Sequence, residues 1–181
     1  MTASSRRPPD SGAKLAPHLR DDVEAVIEQW RSERPDLDPA PLAVIGRLSK
    51  LARMLELEFA EGLGRFGINE GEFDVLCALR RIGSPHRLTP SELAKTVMIS
   101  AAGMTKRLDA LERAGLIRRE PAPADRRSTL ISLTPHGKRV ADRSLTAHLA
   151  DEERLLENLN EAEREQLAAL LSKLLIDTPT T

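Results

Sequence analysis

Residues 89–137 read TPSELAKTVMISAAGMTKRLDALERAGLIRREPAPADRRSTLISLTPHG, and this stretch decides the fold. Thr89-Pro90-Ser91-Glu92 has the form of a capping box with proline at the first helical position, so a helix opens there and runs to about Val97. Ser100 caps a second helix over 101–114, which Gly115 closes. Two short strand-like runs follow, 116–120 and 129–133, separated by the polar turn 121–128. A short helix, a tight turn at 97–100, a second helix and a hairpin make a helix-turn-helix with a wing. In such a unit the N-terminal end of the second helix can enter a DNA major groove. Ser100, Ala101, Ala102 and Gly103 are small enough for close approach, and Thr105, Lys106 and Arg107 follow them. Leu108 and Leu111 are expected to face the core.

Outward from this unit the chain reads as helical. Val23, Val26, Ile27 and Trp30 have helical spacing over 21–33. Leu42, Ile45, Leu48, Leu51, Leu55 and Phe59 stripe a long helix expected to open at Asp38 or Pro39 and to run to about Arg65. Asn69 caps a third helix reaching Ile82. Thr134-Pro135 starts another long helix, and Asn160 caps a last one carrying Leu167, Leu170, Leu171, Leu174 and Leu175. The expected class is mainly α with a small β-hairpin wing, a winged helix-turn-helix flanked by N- and C-terminal dimerisation helices. The expected division is a disordered tail (1–20), N-terminal helices for dimerisation and a ligand pocket (21–66), the DNA-binding unit (67–133) and C-terminal dimerisation helices (134–181).

The 181 residues carry 27 Lys plus Arg and 28 Asp plus Glu, a net charge of -1. A globally cationic nucleic-acid coat is excluded, but a local basic face is not. Residues 89–128 hold eight cations against five anions, a balance of +3. Residues 150–181 hold three cations against eight anions, a balance of -5. The positive field therefore lies on the helix-turn-helix and its wing. Arg126 and Arg127 at the hairpin tip can reach phosphate or a narrow minor groove, with Asp125 to orient one of them and Ser128 beside them. The expected DNA contacts are Ser100, Ala102, Gly103, Lys106, Arg107, Arg126, Arg127 and Ser128, on a double-stranded operator. The plainer alternative is a scaffold whose arginines are merely solvated.

Several other chemistries find no support. The string Gly62-Leu63-Gly64-Arg65-Phe66-Gly67 follows a helix rather than a strand, so it reads as a helix end and not a dinucleotide loop. Cys77 is the lone cysteine, which excludes a disulfide framework within the chain, and its apolar neighbours Leu76 and Leu79 favour a buried structural thiol over a redox sensor. His18, His86, His136 and His148 are scattered, so no metal site and no cofactor are expected. Neither a nucleophile elbow nor a P-loop occurs, so no enzyme is expected. No apolar run is long enough for a membrane span, and the proline- and arginine-bearing N-terminus lacks the apolar core of a signal peptide. The expected location is the cytoplasm, with no membrane partner.

The segment Arg113-Ala114-Gly115-Leu116-Ile117-Arg118-Arg119, then Asp125-Arg126-Arg127, then Leu133-Thr134-Pro135-His136-Gly137 resembles the MarR family of winged-helix regulators. In that family the hairpin carries an Asp-x-Arg motif and Leu-Thr-x-x-Gly opens a dimerisation helix. The resemblance covers roughly residues 21–175. It implies a homodimer with intertwined first and last helices, and a repressor that leaves DNA when a small ligand binds. The apolar stripes of the terminal helices agree, since one small winged helix cannot cover them alone. Such a dimer would read a pseudo-palindrome with half-sites one helical turn apart.

A narrower resemblance joins Trp30, Asp74, Arg81 and Arg107 to the urate-responsive subgroup of that family. It implies that these four residues form a sensing site for a small anionic effector, either urate or a related purine or organic acid. Asp74 and Arg81 are two helical turns apart and share a face. Two guanidiniums can hold an anion, and an indole can stack on a planar one. Arg107 would link that anion to the helix that reads DNA. Each residue also has a plainer role: Trp30 as an interface aromatic, Asp74 and Arg81 as a structural ion pair, Arg107 as a phosphate contact. From a different class stands a helical dimeric adaptor that binds protein without reading DNA.

Overall fold

The computed structural model describes residues 21–97, 100–122 and 128–176. The tail over 1–20, the turn residues Met98 and Ile99, and the wing-tip Asp125, Arg126 and Arg127 lie outside the described residues. The described chain divides into two compact units at Leu55 and Glu56.

The first unit holds helix α1 (Asp22–Glu33) and the first half of α2 (Leu42–Gly64). Asp21 does two jobs there. Its carboxylate accepts the backbone N–H of Val23 at 3.0 Å and of Glu24 at 3.1 Å, capping α1. It also accepts the Arg47 guanidinium at 2.9 Å from Nε. Lys50 reaches Asp22 at 2.7 Å, and Ile27 is buried. Helix α2 opens at Leu42, later than the expected Asp38 or Pro39. Pro41 disfavours a helical residue before it, so the chain first makes three-residue turn bonds from Leu42 N to Pro39 O and from Ala43 N to Ala40 O, both 3.0 Å.

The second unit holds the rest of α2, then α3 (Glu70–Arg81), α4 (Pro90–Thr96), α5 (Ala101–Arg113), α6 (Pro135–Leu155) and α7 (Glu161–Ile176). Its strands are β1 (Arg87–Leu88), β2 (Ile117–Pro121) and β3 (Thr129–Leu133). As the sequence predicts, Asn69 caps α3 and a capping box at Thr89/Glu92 opens α4 with Pro90 in the first turn; at α3 the Glu72 side chain completes a capping box as well. The hairpin pairs Ile117 with Leu133 and Pro121 with Thr129. The extra strand β1 was not expected. It pairs Arg87 with Ser132 and Leu88 with Ile131, giving the order β1-β3-β2. Two residues carry no readable periodicity; only the partner strand makes them a strand.

The core gathers Val75, Leu76 and Leu79 of α3, Leu93 of α4, Met104, Leu108 and Leu111 of α5, Ile117 of β2 and Ile131 of β3. Leu108 and Leu111 face inward as expected. Helix α6 joins this core through Ala141 and Val140, and its Asp142 accepts Arg80 of α3 at 2.6 Å. The chain is thus mostly helical with a small antiparallel sheet, a winged helix-turn-helix with added helices.

The Leu-Thr-x-x-Gly segment has a physical basis here. The Thr134 hydroxyl accepts the N–H of Gly137 at 2.9 Å and donates to the carbonyl of Gly115 at 2.7 Å. Gly137 is buried, and a Cβ on it would overlap the Leu116 carbonyl oxygen, which is backbone and unable to swing aside. Gly137→Ala is therefore expected to destabilise the protein by about 1–3 kcal/mol, the usual cost of overpacking. Urea unfolding checks this, and an unchanged midpoint would refute the contact.

Candidate nucleic-acid interface and anion site

Helix α5 is an amphipathic element seated by its underside. Met104, Leu108 and Leu111 are buried almost completely. The opposite face presents Ala102, Thr105, Lys106 and Asp109 to solvent. At its start Ser100 is exposed, and its hydroxyl accepts the N–H of Gly103 at 3.2 Å. The first turn carries no acidic side chain, so the positive end of the helix dipole is left uncompensated by local carboxylates. Small, capped and exposed, this end has the shape that close approach to a groove requires.

The wing is tied to α5 by a residue that sequence reasoning missed. Arg119 of β2 donates to Glu112 at 2.5 Å and to Asp109 at 2.6 Å, both on α5. The available signal was an acidic pair three residues apart on one helix facing an arginine in the next strand. Ser128 is half-buried, and its carbonyl accepts the N–H of Ala122 at 2.8 Å, closing the base of the hairpin.

Of the four expected sensing residues, Asp74, Arg81 and Arg107 lie in the second unit and Trp30 lies in the first. Trp30 is 47 % exposed. Its indole lines an open pocket of about 440 Å³ with Leu37, Asp38, Pro39, Pro41 and Leu42. Asp74 and Arg81 are exposed on α3, and among the described residues they form no ion pair with each other. The structural-pair alternative for them is therefore not what the side chains do.

Arg107 is unusual. Its guanidinium lies against the backbone of α3 at Gly71, one helical turn before Asp74. Its Nη1 is buried and has no hydrogen-bond partner among the described residues. An unsatisfied buried donor costs on the order of 1–3 kcal/mol, more for a charged group. The arrangement brings a cation of α5 onto the helix that bears Asp74 and Arg81.

Cys77 sits on that same stretch of α3. Burial pushes its thiol up to about 11, helped by the negative charges of Asp74 and Asp142 and opposed by Arg81. The half-buried thiol stays protonated at neutral pH, which suits a structural cysteine rather than a reactive one.

The chain's similarities fit this geometry. The model of the MarR family matches residues 68–129, the segment from the start of α3 to the wing. The regulator PecS of Dickeya dadantii, described as an HTH-type transcriptional regulator, is 38% identical over 152 residues, covering 84% of this chain and 92% of that protein. A point mutant of MarR from E. coli, solved in complex with operator DNA, superposes with a TM-score of 0.63 at 28% identity, over 81% of this chain and 97% of that one. The S. aureus MepR–DNA complex gives a TM-score of 0.67 at 25% identity, over 75% and 98%. The fold and interface define a winged-helix transcription regulator. The chain belongs to the MarR family.

Because its thiol titrates near 11, Cys77 is expected to react with iodoacetamide at pH 8 about a hundredfold more slowly than a free cysteine of ordinary pKa. A rate matching free cysteine would show that the thiol is neither buried nor raised.

Proposed function

We propose that the protein is a homodimeric repressor that binds a pseudo-palindromic operator and is released by a small organic anion. The exposed, small-residue N-terminus of α5 above a buried apolar underside is the observation that carries the DNA reading. Ser100, Ala102, Gly103 and Lys106 meet the major groove, and Arg107, seated on α3 at Gly71, reaches it only by leaving that seat. Arg126, Arg127 and Ser128 meet the minor groove or its phosphates. The MarR and MepR complexes with DNA support this placement by likeness of fold. The adaptor alternative is not favoured, because the similar proteins are named as transcriptional regulators.

Dimerisation is supported by α7. Within one chain none of its residues is fully buried, although Leu167, Leu170, Leu174, Leu175 and Ile176 are exposed along it. So much apolar surface on one helix calls for a partner, and a second copy is the partner proposed. Leu170→Asp with Leu174→Asp is expected to convert the dimer to a monomer in analytical ultracentrifugation. A wild-type protein already monomeric would refute the assignment.

For the effector, Arg81 and Arg107 supply charge complementarity to an anion of the urate, purine or organic-acid class, and the Asp74 carboxylate can accept an N–H that a purine presents. Trp30, in the first unit, offers an indole face to a planar ligand within the pocket that it lines there. An anion that engages Arg107 differently in the two states biases the helix that reads DNA. The test titrates urate, xanthine, citrate and salicylate into the protein bound to the intergenic DNA upstream of its own gene. Affinity is expected to fall steeply with salt through counterion release, and Lys106→Ala to lower the salt slope by about 1. Arg81→Ala is expected to keep operator affinity within about twofold and to lose anion release. Salt-insensitive binding would sink the DNA reading, and normal release by Arg81→Ala would remove that arginine from the sensor.

A further inference from the structure

Arg107 occupies space that exists only because residue 71 is glycine. A Cβ built on Gly71 would overlap the Arg107 Cζ and Nε and would stand 2.7 Å from its Nη2. No side chain larger than hydrogen is compatible with this position of the guanidinium. The seat is also half of an energetic puzzle, because the nitrogen left over, Nη1, is buried without a hydrogen-bond partner among the described residues. A charged donor held in that state is stabilised by any acceptor that reaches it, and an anion is the strongest kind. The neighbours on α3 point the same way. Asp74 is one turn beyond Gly71 and Arg81 two turns beyond that, so the stripe continues along the face on which the guanidinium lies.

We propose that Gly71 is a positioning residue of the anion site. Its bare Cα is the seat of the Arg107 guanidinium, and a side chain at position 71 unseats the arginine and uncouples the anion from helix α5. The ligand class is an anion that presents an oxygen or an ionised nitrogen to Arg107 Nη1. This inference rests on the effector reading above. The displaced group is the far end of a flexible side chain, so substitution moves the arginine rather than the helix. Alanine also suits the first turn of α3 better than glycine, so folding is expected to survive.

The test uses the full chain as wild type, Gly71→Ala and Arg107→Lys, with Gly71→Ser as a second carrier of the same Cβ. In wild type the Arg107 Nε–H, assigned by its loss in Arg107→Lys, is expected to exchange slowly with solvent by NMR. Gly71→Ala is expected to speed that exchange about tenfold or more, without lowering the melting temperature. Equal exchange in the two proteins would overturn the seat. In equilibrium dialysis with urate as the probe, Gly71→Ala is expected to weaken binding about tenfold or more, the scale of one lost charge-assisted hydrogen bond. Arg107→Lys is expected to weaken it similarly, since lysine lacks the planar fork. Weak binding by Arg107→Lys with unchanged binding by Gly71→Ala would overturn the role of Gly71 alone. Unchanged binding by Arg107→Lys, or no binding by wild type, would overturn the urate-site reading together with this inference.

Discussion

The position of helix α5 depends on the burial of Met104, Leu108 and Leu111 against α3 and the sheet. Three large apolar side chains of this kind contribute roughly 1.5–3 kcal/mol each on removal from water. That burial fixes which face of α5 looks outward. It leaves Ser100, Ala102 and Lys106 exposed, and of these only Ser100, as the cap of α5, contributes to stability. The functional surface is thus the remainder after the core has been satisfied. Residues on it can be chosen for size and charge.

Polar ties then set the wing and the flanking helix relative to that core. Arg119 spans from β2 to Asp109 and Glu112 of α5. Thr134 and Gly137 close the start of α6 onto Gly115 and Leu116. These two contacts differ in kind. The ion pairs are half-exposed and individually weak. The glycine contact is backbone against backbone and admits no adjustment. The first orients the wing with some freedom, whereas the second determines where the long helix leaves the winged unit.

The same logic makes Arg107 distinctive among the cations of α5. Lys106 points to solvent, where its charge is hydrated. Arg107 is turned onto α3, where part of its charge is not. A group held at an energetic cost inside an otherwise well-satisfied unit is where a ligand has most to gain.

Much of this was legible in the residues alone. The cap at Asn69, the capping box at Thr89, the serine cap at 100 and the glycine at 115 announce helix ends through bonds made within a few residues, so their reading needs no knowledge of the fold. The inward set on α5 follows from helical spacing for the same reason. What the tertiary structure decided is every feature whose partner is distant in the chain. Strand β1 exists only because β3 lies beside it. Gly71 looks like a poor helix residue until Arg107, 36 positions later, is seen to rest on it. Local bonds are written in neighbouring residues, while seats and clefts arise only when separate elements close on one another.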